Sequence, residues 1–119
     1  MPPISEWWLF IRSNTFDADW LAEDLEDEDM VRLETVLVED PLAGDVIRGT
    51  GGLRKLRFAR SGMGKSGSVR VCYAFLPDHG IVLLPLVYGK SSKKDLTPAE
   101  KKYFKYLLEQ FRTALDAKR

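Results

Sequence analysis

An α+β domain is the fold class that this chain of 119 residues predicts. Three observations carry it: an aromatic strand-like run followed by two segments of helical period, three strand-length apolar runs close together, and a strongly capped helix at the end. Trp7 to Ile11 is aromatic and β-branched and reads as the first strand. Phe16, Trp20, Leu21 and Leu25 then recur at helical spacing and give a short acidic helix. Asp27 or Asp29 is placed to cap a second helix, whose inner face is Met30, Leu33, Val36 and Leu37. Asp40-Pro41 ends it, because the residue before proline is pushed out of the α region.

A glycine-rich connection from Gly44 to Gly52 leads into three strands, Leu53 to Ala59, Ser68 to Leu76 and Ile81 to Gly89. Pro77-Asp78-His79-Gly80 is a tight-turn sequence, so the last two strands form an antiparallel hairpin. Thr97-Pro98-Ala99-Glu100 supplies a cap, a proline at the first helical position and a capping-box glutamate. Phe104, Leu107, Leu108, Phe111 and Leu115 form the buried stripe of that last helix. The expected order is β-α-α-β-β-β-α over a single domain of residues 1–119, with the helices packed on one face of a mainly antiparallel sheet.

Composition narrows the function classes. At 45% hydrophobic and 30% charged residues the chain is globular rather than disordered. One cysteine, Cys72, allows no internal disulfide and no cysteine-based zinc site, so a reducing cytoplasm is expected. The apolar run after the N-terminus is too short for a signal segment or a membrane span, and no membrane association is expected. The net charge of zero hides a split. Residues 1–46 hold 13 acidic side chains against Arg12 and Arg32, a net of −11; residues 47–119 hold 16 basic against five acidic, a net of +11. A basic half of this kind points to a polyanion-binding face.

Strand parity says where those cations go. Leu56 and Phe58 face the core, so Lys55 and Arg57 face away from it. Val69, Val71, Tyr73 and Phe75 are the inward set of the next strand, which turns Arg70 and Cys72 outward. In the last strand Ile81, Leu83, Pro85 and Val87 share one face; Val82, Leu84, Leu86, Tyr88 and Lys90 share the other. With Lys65 from the intervening loop, one sheet face collects Lys55, Arg57, Lys65, Arg70, Tyr88 and Lys90, and no Asp or Glu occurs between Val46 and Pro77. Arg54, Arg60, Lys93 and Lys94 extend the basic surface as further expected RNA contacts.

Other chemistries fit less well. Ala59 to Ser66 imitates a phosphate loop, but that motif needs a helix after it, and here a strand follows. His79 is the lone histidine and lies in a turn, which disfavours a Ser/His/Asp triad or a paired-histidine ribonuclease. Cys72 is a packing residue, and no metal-ligand cluster or cofactor motif is visible.

The run Gly44 to Arg57, then Gly64-Lys65, Val69 to Tyr73, Leu86 to Lys90 and Asp95 to Pro98, resembles the HigB branch of RelE-like bacterial toxins. The resemblance spans about residues 40–110 and implies a RelE/ParE-like fold. It also implies a toxin of a type II toxin–antitoxin system that cuts messenger RNA, usually on the ribosome, without a cofactor. Its partner would be a cognate antitoxin, often a helix-turn-helix protein. Carried over by position, the functional candidates are Lys55, Arg57, Lys65, Arg70, Tyr88 and Lys90. The substrate's own 2′-hydroxyl would be the nucleophile. Arg57 and Arg70 suit phosphorane stabilisation, since guanidinium forks match phosphate oxygens. Lys65 or Lys90, crowded by cations, could serve as base or acid, and Tyr88 could stack on a base or donate a proton. The chain departs from such toxins, which are usually basic, in being neutral overall. The alternatives are a gyrase-directed toxin of the ParE branch and a non-catalytic binding protein on the same fold.

Overall fold

The computed structural model describes residues 8–61, 67–89 and 93–118. Its elements are β1 (Leu9–Arg12), α1 (Asn14–Ala22), α2 (Asp27–Glu39), β2 (Asp45–Val46), β3 (Arg54–Ala59), β4 (Ser68–Leu76), β5 (Ile81–Gly89) and α3 (Pro98–Asp116). The sheet order is β1-β5-β4-β3-β2, antiparallel except for the β1–β5 pair, which is parallel. The expected α+β class and element order hold, with a two-residue edge strand, β2, added inside the glycine-rich connection. The first strand begins at Leu9, and Trp7 lies outside the described residues. No helix among the described residues is long and apolar enough to cross a membrane.

The helices do not all pack on one face. Phe16 and Trp20 of α1 and Met30, Leu33 and Leu37 of α2 bury against Phe58, Val69, Val71, Tyr73, Val82, Leu84 and Val87. On the opposite face Leu96, Phe104 and Leu108 cover Leu53, Cys72, Ala74, Leu76, Ile81, Leu83, Leu86 and Tyr88. The physical reason is that β4 and β5 are apolar on both sides and cannot leave either side in water. Each large side chain so buried is worth ~1.5–3 kcal/mol, which makes a second cover for the sheet unavoidable.

The strand β5 also breaks the simple alternation. Its pairing with β4 runs Leu76↔Ile81, Phe75↔Val82 and Ala74↔Leu83, then resumes at Cys72↔Leu86 and Arg70↔Tyr88. Two residues, Leu84 and Pro85, therefore oppose Tyr73 alone, which is a β-bulge. Proline has no N–H for the ladder, so it belongs at such an irregularity. Beyond it the parity is reversed: Ile81, Leu83, Leu86 and Tyr88 share the α3 face, and Val82, Leu84 and Val87 share the α1–α2 face. Ser13 holds the bulge in place. Its backbone N–H donates to the Leu84 carbonyl at 3.2 Å and its hydroxyl to the Pro85 carbonyl at 3.0 Å. The same hydroxyl accepts from Phe16 N at 2.9 Å and so caps α1.

Two polar clusters fix the ends of β3. Tyr73 is fully buried; its hydroxyl donates to Pro41 O and accepts from Gly44 N, both at 2.8 Å. Only glycine fits at 44, since a Cβ there would sit 2.8 Å from the Tyr73 ring and 2.9 Å from Lys55 O. At the other end Asp29, 2% exposed, is the third residue of α2 rather than its cap. It accepts from Glu26 N at 2.9 Å, Arg32 Nη2 at 3.0 Å and Ser61 Oγ at 2.5 Å. Arg32 also donates to Ala59 O at 2.8 Å and lies 4.1 Å above the Phe58 ring. The start of α2 is thereby tied to the end of β3, where the loop to β4 departs.

Burial raises the Asp29 pKa, but the bonds from Ser61, Glu26 and Arg32 overcome that and bring it from 3.8 down to about 2. A depressed carboxylate pKa adds stability above the unfolded value and loses it as pH falls toward the folded one. Unfolding free energy is therefore expected to drop by ~2 kcal/mol on Asp29's account between pH 5 and pH 2. Urea titrations of the wild type and Asp29→Asn across that range check this; the variant should lack that component of the acid sensitivity.

Candidate functional site

The bulge places three polar side chains in one row across the sheet. Arg57 of β3 pairs with Arg70 of β4, and Arg70 pairs with Tyr88 of β5. Paired positions on neighbouring strands point to the same face, here the one that α3 covers further along. One step behind lie Lys55, Cys72 and Leu86, also in register. The face expected to collect Lys55, Arg57, Arg70 and Tyr88 therefore does so. Lys65 and Lys90 lie outside the described residues.

The two arginines are free to meet an anion. Arg57 is exposed and Arg70 half-buried, and neither forms an ion pair with a described carboxylate. Instead both point at Ser68: Arg57 Nε donates to its hydroxyl at 2.9 Å and Arg70 Nη1 at 3.1 Å. One serine thus holds two guanidinium groups side by side, each with donors left over. Like charges held this close are favourable only when something negative joins them.

Tyr88 closes the row from below. It is 3% exposed, and its hydroxyl has no hydrogen-bond partner among the described residues. Burial first, then the neighbouring Cys72 and Asp95, push its pKa up to about 12, against the pull of Arg70. The phenol is therefore a proton donor at any physiological pH. It lines a cavity of about 380 Å³ with Lys55, Asp95, Lys101 and Asp45. Lys93 Nζ stands 5.7 Å from the centre of its ring.

Other candidates are committed elsewhere. Lys55 Nζ donates to Asp95 at 3.0 Å, which holds the Asp95 carboxyl below the usual carboxylate range. Lys93 pairs with Glu100, whose carboxyl also accepts from Thr97 N and is likewise lowered. The stretch of strands without Asp or Glu is thus neutralised in part by acids from the segment that follows β5. Arg54 and Arg60, also expected to contact RNA, bond within the fold. Arg54 lies on the other parity of β3 and donates to Gly44 O at 2.7 Å. Arg60 donates to both the backbone carbonyl and the carboxylate of Glu23, at the end of α1. Lys94 is exposed on the approach to α3. Burial drives the Cys72 thiol up to about 12, so it is inert packing, as expected. His79 Nε2 lies 2.9 Å from Asp116, tying the β4–β5 turn to the end of α3. Among the described residues no three His, Cys, Asp or Glu side chains converge as metal ligands.

Parity alone could find Arg57 and Arg70. The Ser68 bridge, the Lys55–Asp95 pair and the Lys93–Glu100 pair had no local sequence signal, since their partners come from separate elements.

The fold is that of a RelE-type bacterial toxin. Among solved structures, a free-state variant of the E. coli toxin RelE with two arginines replaced by alanine aligns with 73% of this chain and 87% of its own. The TM-score is 0.52 and the sequence identity 15%. No protein-family model matches the chain.

An unpartnered buried hydroxyl costs stability, so removing it is expected to cost nothing. Tyr88→Phe should melt at the wild-type temperature or slightly above it. A clear loss of stability, read by thermal unfolding, would mean that the hydroxyl has a structural partner.

Proposed function

We propose that this protein is the toxin of a toxin–antitoxin system and acts as an endoribonuclease on messenger RNA, on the ribosome. One observation carries the reading: two arginines without carboxylate partners among the described residues stand in register with a buried, protonated tyrosine on one face of a RelE-type sheet.

The chemistry needs a base, an anion clamp and an acid. The 2′-oxygen attacks the adjacent phosphorus while a base takes its proton. The bond from phosphorus to the 5′-oxygen breaks, leaving a 2′,3′-cyclic phosphate and a 5′-hydroxyl. Arg57 and Arg70, spaced by Ser68, bind the non-bridging oxygens and gain most when charge builds up on the phosphorane. Tyr88 supplies the proton to the departing 5′-oxygen, a role that a raised pKa preserves and that excludes it as a base. Lys65 and Lys90 are the candidates for the base. Lys55 and Lys93 position RNA backbone once it competes with Asp95 and Glu100 for them. The HigB branch, a helix-turn-helix antitoxin and a cytoplasmic location belong to the same reading.

Two other functions compete, a gyrase-directed toxin and a non-catalytic binder. Purified protein in a translating extract separates them. Message cleaved only while ribosomes translate supports the proposal; inhibition of DNA supercoiling with intact message overturns it in favour of the ParE-type reading, and inertness in both assays favours a binder. Arg57→Ala and Arg70→Ala should each lower cleavage ~10²-fold or more, as removal of one transition-state donor does. Full cleavage by Arg70→Ala would refute the site.

A further inference from the structure

The acidic helices α1 and α2 lie on one side of the sheet and α3, with Lys101, Lys102 and Lys105, on the other, and each side exposes apolar residues among its charges. On α2, Glu28, Val31, Thr35 and Val38 recur every three or four residues and form one outer stripe, with Asp27 and Glu34 beside it. Val31 is 62% and Val38 37% exposed, so the stripe is aliphatic along its middle and acidic along its edges. On α3, Tyr103 and Tyr106 are 57% and 61% exposed, and Lys102 and Lys105 are exposed beside them. Neither lysine forms an ion pair with a described residue. The first surface suits a partner that is cationic and apolar, and the second surface of the same chain has that chemistry.

We infer that the outer face of α2 in one copy docks on the outer face of α3 in a second copy. The two faces lie against opposite sides of one sheet, so a single copy cannot bring its own pair together. The contact is heterologous: each copy offers one face and receives on the other, and the chain of copies stays open at both ends. A net charge of zero removes the overall repulsion that keeps most small domains apart. The Val31 and Val38 side chains meet the Tyr103 and Tyr106 rings, with Glu28 and Glu34 opposite Lys102 and Lys105. This association is independent of any reaction on RNA.

Light scattering on size-fractionated protein tests it at two ionic strengths, about 0.01 M, where charges are felt over ~30 Å, and about 1 M, where they are felt over ~3 Å. The expected result is a mass that rises with concentration at low salt and falls to a single chain at high salt. Two charge-swapped proteins sharpen the test, Glu28→Lys with Glu34→Lys on α2, and Lys102→Glu with Lys105→Glu on α3. Each alone should remain a single chain at low salt, and an equimolar mixture of the two should associate again, because each then carries the complement of the other. Circular dichroism confirms that both are folded before they are mixed. A single chain at every concentration, association indifferent to salt, or a mixture that stays dissociated would overturn the inference.

Discussion

One extra residue in β5 decides what this sheet can do. Had the hairpin kept the register of Ala74↔Leu83, Arg70 would face Val87 and the Tyr88 side chain would lie under α1 and α2. The bulge at Leu84–Pro85 reverses the parity and delivers Tyr88 to the face of Arg57 and Arg70. Such an irregularity frees carbonyls that must find donors in a buried strand. Ser13 satisfies both of them from the N-cap of α1. The cap of the first helix and the geometry of the site are thus one hydrogen-bonded unit, and the parallel β1–β5 pairing brings Ser13 there.

A second constraint is shared cover. Because β4 and β5 are apolar on both faces, α3 must lie on the same side as the cations. It covers the sheet beside Leu53, Ala74 and Leu76 and leaves the end near Arg57 and Arg70 open. Tyr88 lies between these regions: close enough to α3 to be buried, close enough to the open end to line a cavity. Its raised pKa follows from that location rather than from any single neighbour. Asp95 and Glu100, at the approach to α3, offset Lys55 and Lys93, whereas Arg57 and Arg70 form no ion pair among the described residues.

Much of this was legible from residue order. The alternation of Lys55, Leu56, Arg57 and Phe58 placed the cations of β3 correctly, and that of Val69, Arg70 and Val71 did the same for β4. The capping box at Thr97 and Glu100 fixed the start of α3. Alternation failed in β5, where Pro85 interrupts it; a proline inside an apolar strand was the available warning. Tyr88 reached the expected face by a route that simple parity does not supply. The bonds of Arg54 and Arg60 to carbonyls of their own chain had no sequence signal, because charge alone does not distinguish a cation aimed at solvent from one bonded within the fold. The helices on both faces were implicit in the double-sided strands. The Asp29 cluster was not, since its partners, Arg32, Ser61 and Ala59, meet only in the folded chain.

In the proposed function Arg57, Arg70 and Tyr88 form a single RNA site in which the arginines hold phosphate and the tyrosine handles a proton. The most direct test is the salt dependence of affinity for an RNA that carries a 2′-deoxy sugar at the cleavage position and so binds without reacting. For a single strand each phosphate held contributes ~0.7 to the logarithmic slope, so Arg57→Ala with Arg70→Ala, which together release the one phosphate they share, should flatten it by about 0.7. Tyr88→Phe should leave the slope unchanged while abolishing cleavage of the ordinary RNA. A slope that ignores the two arginines, or one that changes with the tyrosine, would contradict the account.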